Sequence, residues 1–112
     1  MRENAVLRTM RQHRSVRKYT KDQPPDEVVE AIVRAGQQAP FASQLYSVLL
    51  RRKVKAPFGA PLWFSICIDL HKLERFMKIR GWEIKTNDLS LLFFGMQDAA
   101  YMAQNMVVAG ES

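Results

Sequence analysis

Residues 88–110 read Asp-Leu-Ser-Leu-Leu-Phe-Phe-Gly-Met-Gln-Asp-Ala-Ala-Tyr-Met-Ala-Gln-Asn-Met-Val-Val-Ala-Gly, and their spacing predicts one long helix that begins at Asn87 or Asp88. Leu89, Leu92, Phe93, Met96, Ala100, Ala103 and Val107 fall on one side of it, and further apolar residues occupy the others. A helix that is apolar nearly all round must be covered on several faces, at the centre of a large domain or between subunits. In a chain of 112 residues the subunit interface is the expected place. Gln97, Tyr101, Gln104 and Asn105 form a polar stripe on this rod. Buried amides need partners, so hydrogen bonding between helices across a dimer is the simpler account of the stripe, with direct cofactor contact as the other.

The remaining segments are shorter. Val6, Leu7 and Met10 recur at helical spacing within residues 3–12, between arginines, and predict a short amphipathic helix that ends before His13. Pro24-Pro25 fix the backbone for a second helix start, with Asp26 and Glu27 in its first turn and Val28, Val29, Ile32, Val33 and Gly36 as its apolar stripe. Leu45–Arg52 and Pro61–Asp69 are predicted strands; the second holds the run Leu62-Trp63-Phe64-Ser65-Ile66-Cys67-Ile68, the composition of a buried strand. Asp69 is placed to cap a third helix carrying Leu70, Leu73, Phe76 and Met77, Gly81 closes it, and Trp82 anchors the connection that follows. No repeat or low-complexity linker divides the chain, so residues 1–112 are read as one α+β domain: an antiparallel sheet flanked by helices, with a long buried central helix at a dimer interface.

Composition agrees with a globular domain, at 47% hydrophobic and 25% charged residues. At this length the core is thin and a partner subunit would help to complete it. The lone Cys67 forms no intrachain disulfide and is expected as a buried structural thiol; no leader pattern opens the chain, and the expected location is the cytoplasm. No window approaches the roughly 18 apolar residues of a membrane span, so no membrane partner is expected. Seventeen Lys and Arg against eleven Asp and Glu give +6, concentrated at Arg2, Arg8, Arg11, Arg14, Arg17 and Lys18 and again at Arg51, Arg52, Lys53 and Lys55. A solvated basic face is the plain explanation and anion binding the alternative; a nucleic-acid module rests on net charge alone, because no aromatic platform is interleaved among the arginines.

For chemistry, no CxxC or HExxH spacing offers a metal site, and the serines lack elbow glycines or a histidine with an orienting acid. No catalytic side chain and no metal ligand is assigned. The segment His13-Arg14-Ser15-Val16-Arg17-Lys18-Tyr19 is more informative, because an extended backbone projects His13, Ser15 and Arg17 to one side. A hydroxyl between two cations suits a phosphate, with arginine supplying paired planar donors; a basic surface loop is the alternative.

These residues, with Pro25-Asp26-Glu27-Val28-Val29-Glu30-Ala31-Ile32, Ala39-Pro40, Ala60-Pro61, Asp98-Ala99 and Ala103-Gln104-Asn105-Met106-Val107-Val108-Ala109, resemble in order the FMN-dependent nitroreductase family. The resemblance implies an α+β homodimer joined through its central helix, with FMN at the subunit interface and NADH or NADPH as electron donor. It places Arg14, Ser15 and Arg17, with His13 beside them, on the FMN phosphate and ribityl chain, Gln44 on the flavin ring through its amide, and Tyr46 near that ring. The implied function is an FMN-dependent oxidoreductase passing electrons to a small-molecule acceptor such as a nitroaromatic or quinone. The family continues beyond the point that corresponds to Ser112, so the sequence also reads as a domain truncated at its C-terminus, with a non-catalytic flavin-binding or dimerisation remnant of the same fold as the alternative function.

Overall fold

A computed structural model describes residues 4–52 and 54–112. Helix α1 (Ala5–Gln12) starts where the Asn4 side chain accepts the Leu7 amide at 3.0 Å and ends before His13, whose backbone is extended. Residues 13–20 carry no regular structure. After Pro25, helix α2 (Asp26–Gln37) begins with two acids in its first turn and closes through the Gln38 and Ala39 amides, which donate to the carbonyls of Ala35 and Gly36. Strands β1 (Tyr46–Arg52) and β2 (Leu62–Ile68) follow, then α3 (His71–Arg80) and α4 (Asp88–Glu111). Gly81, at a φ of 67°, takes the left-handed conformation that ends α3, and Asn87 caps α4 by accepting the Ser90 amide at 2.8 Å. The architecture is α+β, as the sequence predicts.

The two strands pair antiparallel with Tyr46 opposite Ile68 and Arg52 opposite Leu62. Helix α4 crosses this sheet and packs chiefly against α2. The core gathers Tyr46, Met102 and Met106, against which Ile32, Val33, Val48, Phe64, Ile66 and Ala99 are packed. The α2–α4 approach is close because of Gly36: a Cβ there would come within 2.7 Å of Met106 Cγ and 3.0 Å of Met102. At the sheet end of α4, Gly95 gives the same clearance to Ile68, whose Cγ2 would lie 2.5 Å from an added Cβ.

Several expectations are corrected by this packing. The side of α4 buried in the chain is Leu91, Gly95, Asp98, Met102 and Met106, whereas Leu89, Leu92, Phe93, Met96 and Ala100 on the predicted stripe are exposed. Apolarity alone did not say which face turns inward; the small Gly95 and the polar Asp98 decided it by allowing close approach and by needing donors. Val28 is exposed while Val29 is buried, because α2 presents only one narrow face to α4. Strand β2 is half-buried rather than buried, and Cys67 is exposed, since only one face of this two-stranded sheet is covered. Trp82, expected to anchor a connection, is 56% exposed and meets the edge of Phe76, 6.0 Å between centroids, and the Arg80 guanidinium, 5.7 Å from its ring centroid. Helix α3 packs against no other helix or strand among the described residues.

Gly36→Leu should cost roughly 1–3 kcal/mol by overpacking the α2–α4 contact. Gly110→Ala, whose Cβ would meet only Ile32 Cδ1 at 3.6 Å, should hold or gain stability. Denaturant unfolding of the two variants checks the contrast.

Candidate functional site

An acid in the middle of an apolar helix must find donors, and Asp98 does so in the loop between α2 and β1. It is 1% exposed and accepts three backbone amides: Ala42 at 2.7 Å on Oδ1, and Ser43 at 3.2 Å and Leu45 at 3.0 Å on Oδ2. Of the four consecutive amides from Ala42 to Leu45, that of Gln44 alone is left out of this set. Gln44 sits at a φ of 54°, a conformation rare outside glycine. Asp98 thereby bends the loop about its carboxylate and leaves Gln44, half-buried, as the residue the loop presents.

Gln44 Nε2 donates to the Tyr46 hydroxyl at 3.3 Å. Tyr46 is itself a core residue, 7% exposed, so it supports Gln44 from beneath. Lys72 closes the other side, its Nζ donating to the Tyr46 carbonyl at 2.9 Å and lying 5.4 Å from the ring centroid. Lys72 is held in turn by Asp69, whose Oδ1 accepts its amide at 3.2 Å while Oδ2 accepts the Ser47 hydroxyl. The Ser47 hydroxyl first, and the Lys72 amide second, hold the Asp69 carboxyl below its ordinary value of 3.8. The N-cap position of α3 falls to Leu70 rather than to Asp69 as expected, but Asp69 still accepts an amide of the first turn, and this small network fastens α3 to the sheet.

The predicted phosphate residues lie on a separate element, the extended arm of residues 13–20, where all are exposed. Arg14, Ser15 and Arg17 make no side-chain hydrogen bond or ion pair among the described residues, so their donors are free. His13 is engaged: its Nδ1 lies 2.8 and 3.1 Å from the carboxylate oxygens of Glu111, in the last turn of α4. Arg14 lines an open depression of about 480 Å³ with Thr9, Gln12, Val16 and Glu111. No hydrogen bond joins the arm to Gln44 or Tyr46 among the described residues; the site is two groups on one frame. In the second basic cluster Arg52 pairs with Asp26 at 2.7 Å and Arg51 lies over the Trp63 ring, 6.0 Å from its centroid; Lys53 lies outside the described residues. Asn105 donates to the Ala35 carbonyl of its own chain at 3.0 Å, which corrects the expectation that it bonds across a dimer.

Sequence reading gave no role to Asp98, Lys72 or Glu111. Asp98 was findable: it is the only charged residue between Leu89 and Gly110. Nothing in the pattern marks Lys72 or Glu111, because their partners are 26 and 98 residues away. No group of three or more potential metal ligands occurs among the described residues, and no described helix is long and apolar enough to cross a membrane.

Asp98→Asn keeps the volume but turns an NH₂ group toward backbone donors, and should lower stability on the order of 3 kcal/mol in denaturant unfolding. Asp69 titrates below its unfolded value, so its contribution is complete above that value and is lost as pH falls through the lowered one. Ser47→Ala should therefore move the acid release of α3 to higher pH, read from Trp82 fluorescence in a Trp63→Phe background.

The described geometry has counterparts in known proteins. Residues 10–54 match the model of the nitroreductase family. A Staphylococcus epidermidis protein named NADPH-dependent oxidoreductase is 31% identical over 95% of this chain and 49% of its own length. A Bacillus subtilis protein named FMN reductase (NADPH) is 26% identical over 97% of this chain and 51% of its own length. The chain spans about half the length of the curated relatives it matches. Among solved structures, B. megaterium NfrA2 superimposes with a TM-score of 0.87 at 23% identity, over 97% of this chain and 51% of that one. The nitroreductase-family signature is thus matched within residues 10–54, and the chain shares the fold of B. megaterium NfrA2.

Proposed function

We propose that the chain supplies a flavin-binding portion of an FMN-dependent oxidoreductase that takes electrons from NADH or NADPH and passes them to a nitroaromatic, quinone or similar acceptor. The observation that carries this reading is the arm: Arg14, Ser15 and Arg17 present two guanidinium groups and a hydroxyl that make no hydrogen bond or ion pair among the described residues. An exposed, unpaired set of this kind fits a phosphate monoester, which accepts paired planar donors and a short hydroxyl bond. The names carried by the Staphylococcus and Bacillus relatives support the same cofactor and donor.

In this reading Arg14, Ser15 and Arg17, with His13, hold the phosphate and ribityl end of FMN. Gln44 offers its amide to the edge of the flavin ring, and Tyr46 and Lys72 hold Gln44 in place. Bound FMN supplies the hydride and electron chemistry. The chain's share is to bind and orient, and none of its side chains is given a proton to move. The exposed stripe Leu89, Leu92, Phe93 and Met96 is assigned to a homodimer, since an apolar row along a helix of 24 residues needs a cover.

The purified chain should retain FMN through desalting, and the yellow should bleach on anaerobic addition of NADH or NADPH. Arg14→Ala and Arg17→Ala should each weaken FMN about tenfold and leave riboflavin unchanged, because only FMN carries the phosphate. Retained yellow that does not bleach would identify a binding remnant without turnover, and failure to hold FMN would overturn the reading. For the dimer, Phe93→Glu should give a monomer in sedimentation where the unmodified chain gives a dimer.

A further inference from the structure

Of the residues on the arm from His13 to Lys18, His13 is the only one with a side-chain hydrogen bond to another element among the described residues, and its partner is Glu111 on α4. The pair is open to solvent, with side chains 54% and 34% exposed, so it contributes little to stability. Its geometry is more informative. Both carboxylate oxygens of Glu111 face the same ring nitrogen, Nδ1, at 2.8 and 3.1 Å. Nε2 has no partner among the described residues, and the bond made by one ring nitrogen sets what the other offers. In the imidazolium both nitrogens donate: Nδ1 to Glu111 and Nε2 to a ligand. Glu111 also borders the depression that Arg14 lines, and it stands on the last turn of a 24-residue helix, whereas the arm has no secondary structure of its own.

We infer that Glu111 is a positioning residue for phosphate-ester binding on the arm: by accepting the Nδ1 proton of His13 it turns Nε2 toward the anion and fixes Arg14 at the same depression. The inference rests on the reading of the arm as the cofactor's phosphate site. Glu111 has a negative charge and touches no ligand in this assignment; it acts through His13.

The test compares FMN with riboflavin in the full chain. Glu111→Gln should weaken FMN about tenfold, leave riboflavin unchanged, and have no further effect in a His13→Ala background, since coupled residues do not add. Equal losses for the two flavins would make Glu111 a merely structural residue. Tighter FMN binding in Glu111→Gln would make it an internal competitor for the phosphate. Either result, or no change, overturns the proposal. If the unmodified chain holds neither flavin, the functional reading fails separately, and inorganic phosphate then tests the pair: the His13 Nε2 signal in ¹⁵N spectra should respond to phosphate in the unmodified chain and not in Glu111→Gln. Absence of that response in the unmodified chain overturns the inference.

Discussion

A carboxylate removed from water requires donors, and in this chain Asp98 satisfies that requirement with three amides of one loop. The consequences run in both directions along the structure. Toward the core, the position of Asp98 on α4 fixes which side of the helix faces inward, and with it the alignment of Gly95 on Ile68 and of Met102 and Met106 on Gly36. Toward the surface, the same carboxylate sets the loop before β1 and leaves Gln44 in a strained conformation above the Tyr46 hydroxyl. Packing and site are therefore set by one buried charge.

The remainder of the site is attached more lightly. Helix α3 has no packed face on the body and is held through Asp69, Lys72 and Ser47. The arm is tied by His13 to the far end of α4. Elements fastened by a few polar contacts, with little buried apolar area, open at low free energy. Such attachment would suit the ligand-holding role proposed for the arm, while the α2–α4–sheet core is held by its packing.

The outward side of α4 shows what a chain of this size leaves uncovered. Phe93 and Met96 are more than half exposed on a helix whose opposite side is fully buried. The two-stranded sheet has the same character, with one face covered and Cys67 open on the other. Both surfaces belong to a fold in which relatives matched by this chain are about twice as long.

Local sequence determined the elements, because their causes are local. Asn4 and Asn87 cap helices with their own side chains, Gly81 supplies the left-handed turn, Pro25 starts α2, and the period of residues 88–110 makes a helix whatever surrounds it. The family resemblance and the run of donors on the arm were likewise legible, since both are matters of order and spacing. Tertiary structure decided the rest. An apolar helix does not say which of its faces turns inward until Asp98 meets the amides of residues 42–45, more than fifty positions away. Nor does the sequence say that Lys72 clasps Tyr46 or that Glu111 meets His13, because these bonds join residues whose separation along the chain carries no pattern, and only folding brings them within hydrogen-bonding reach.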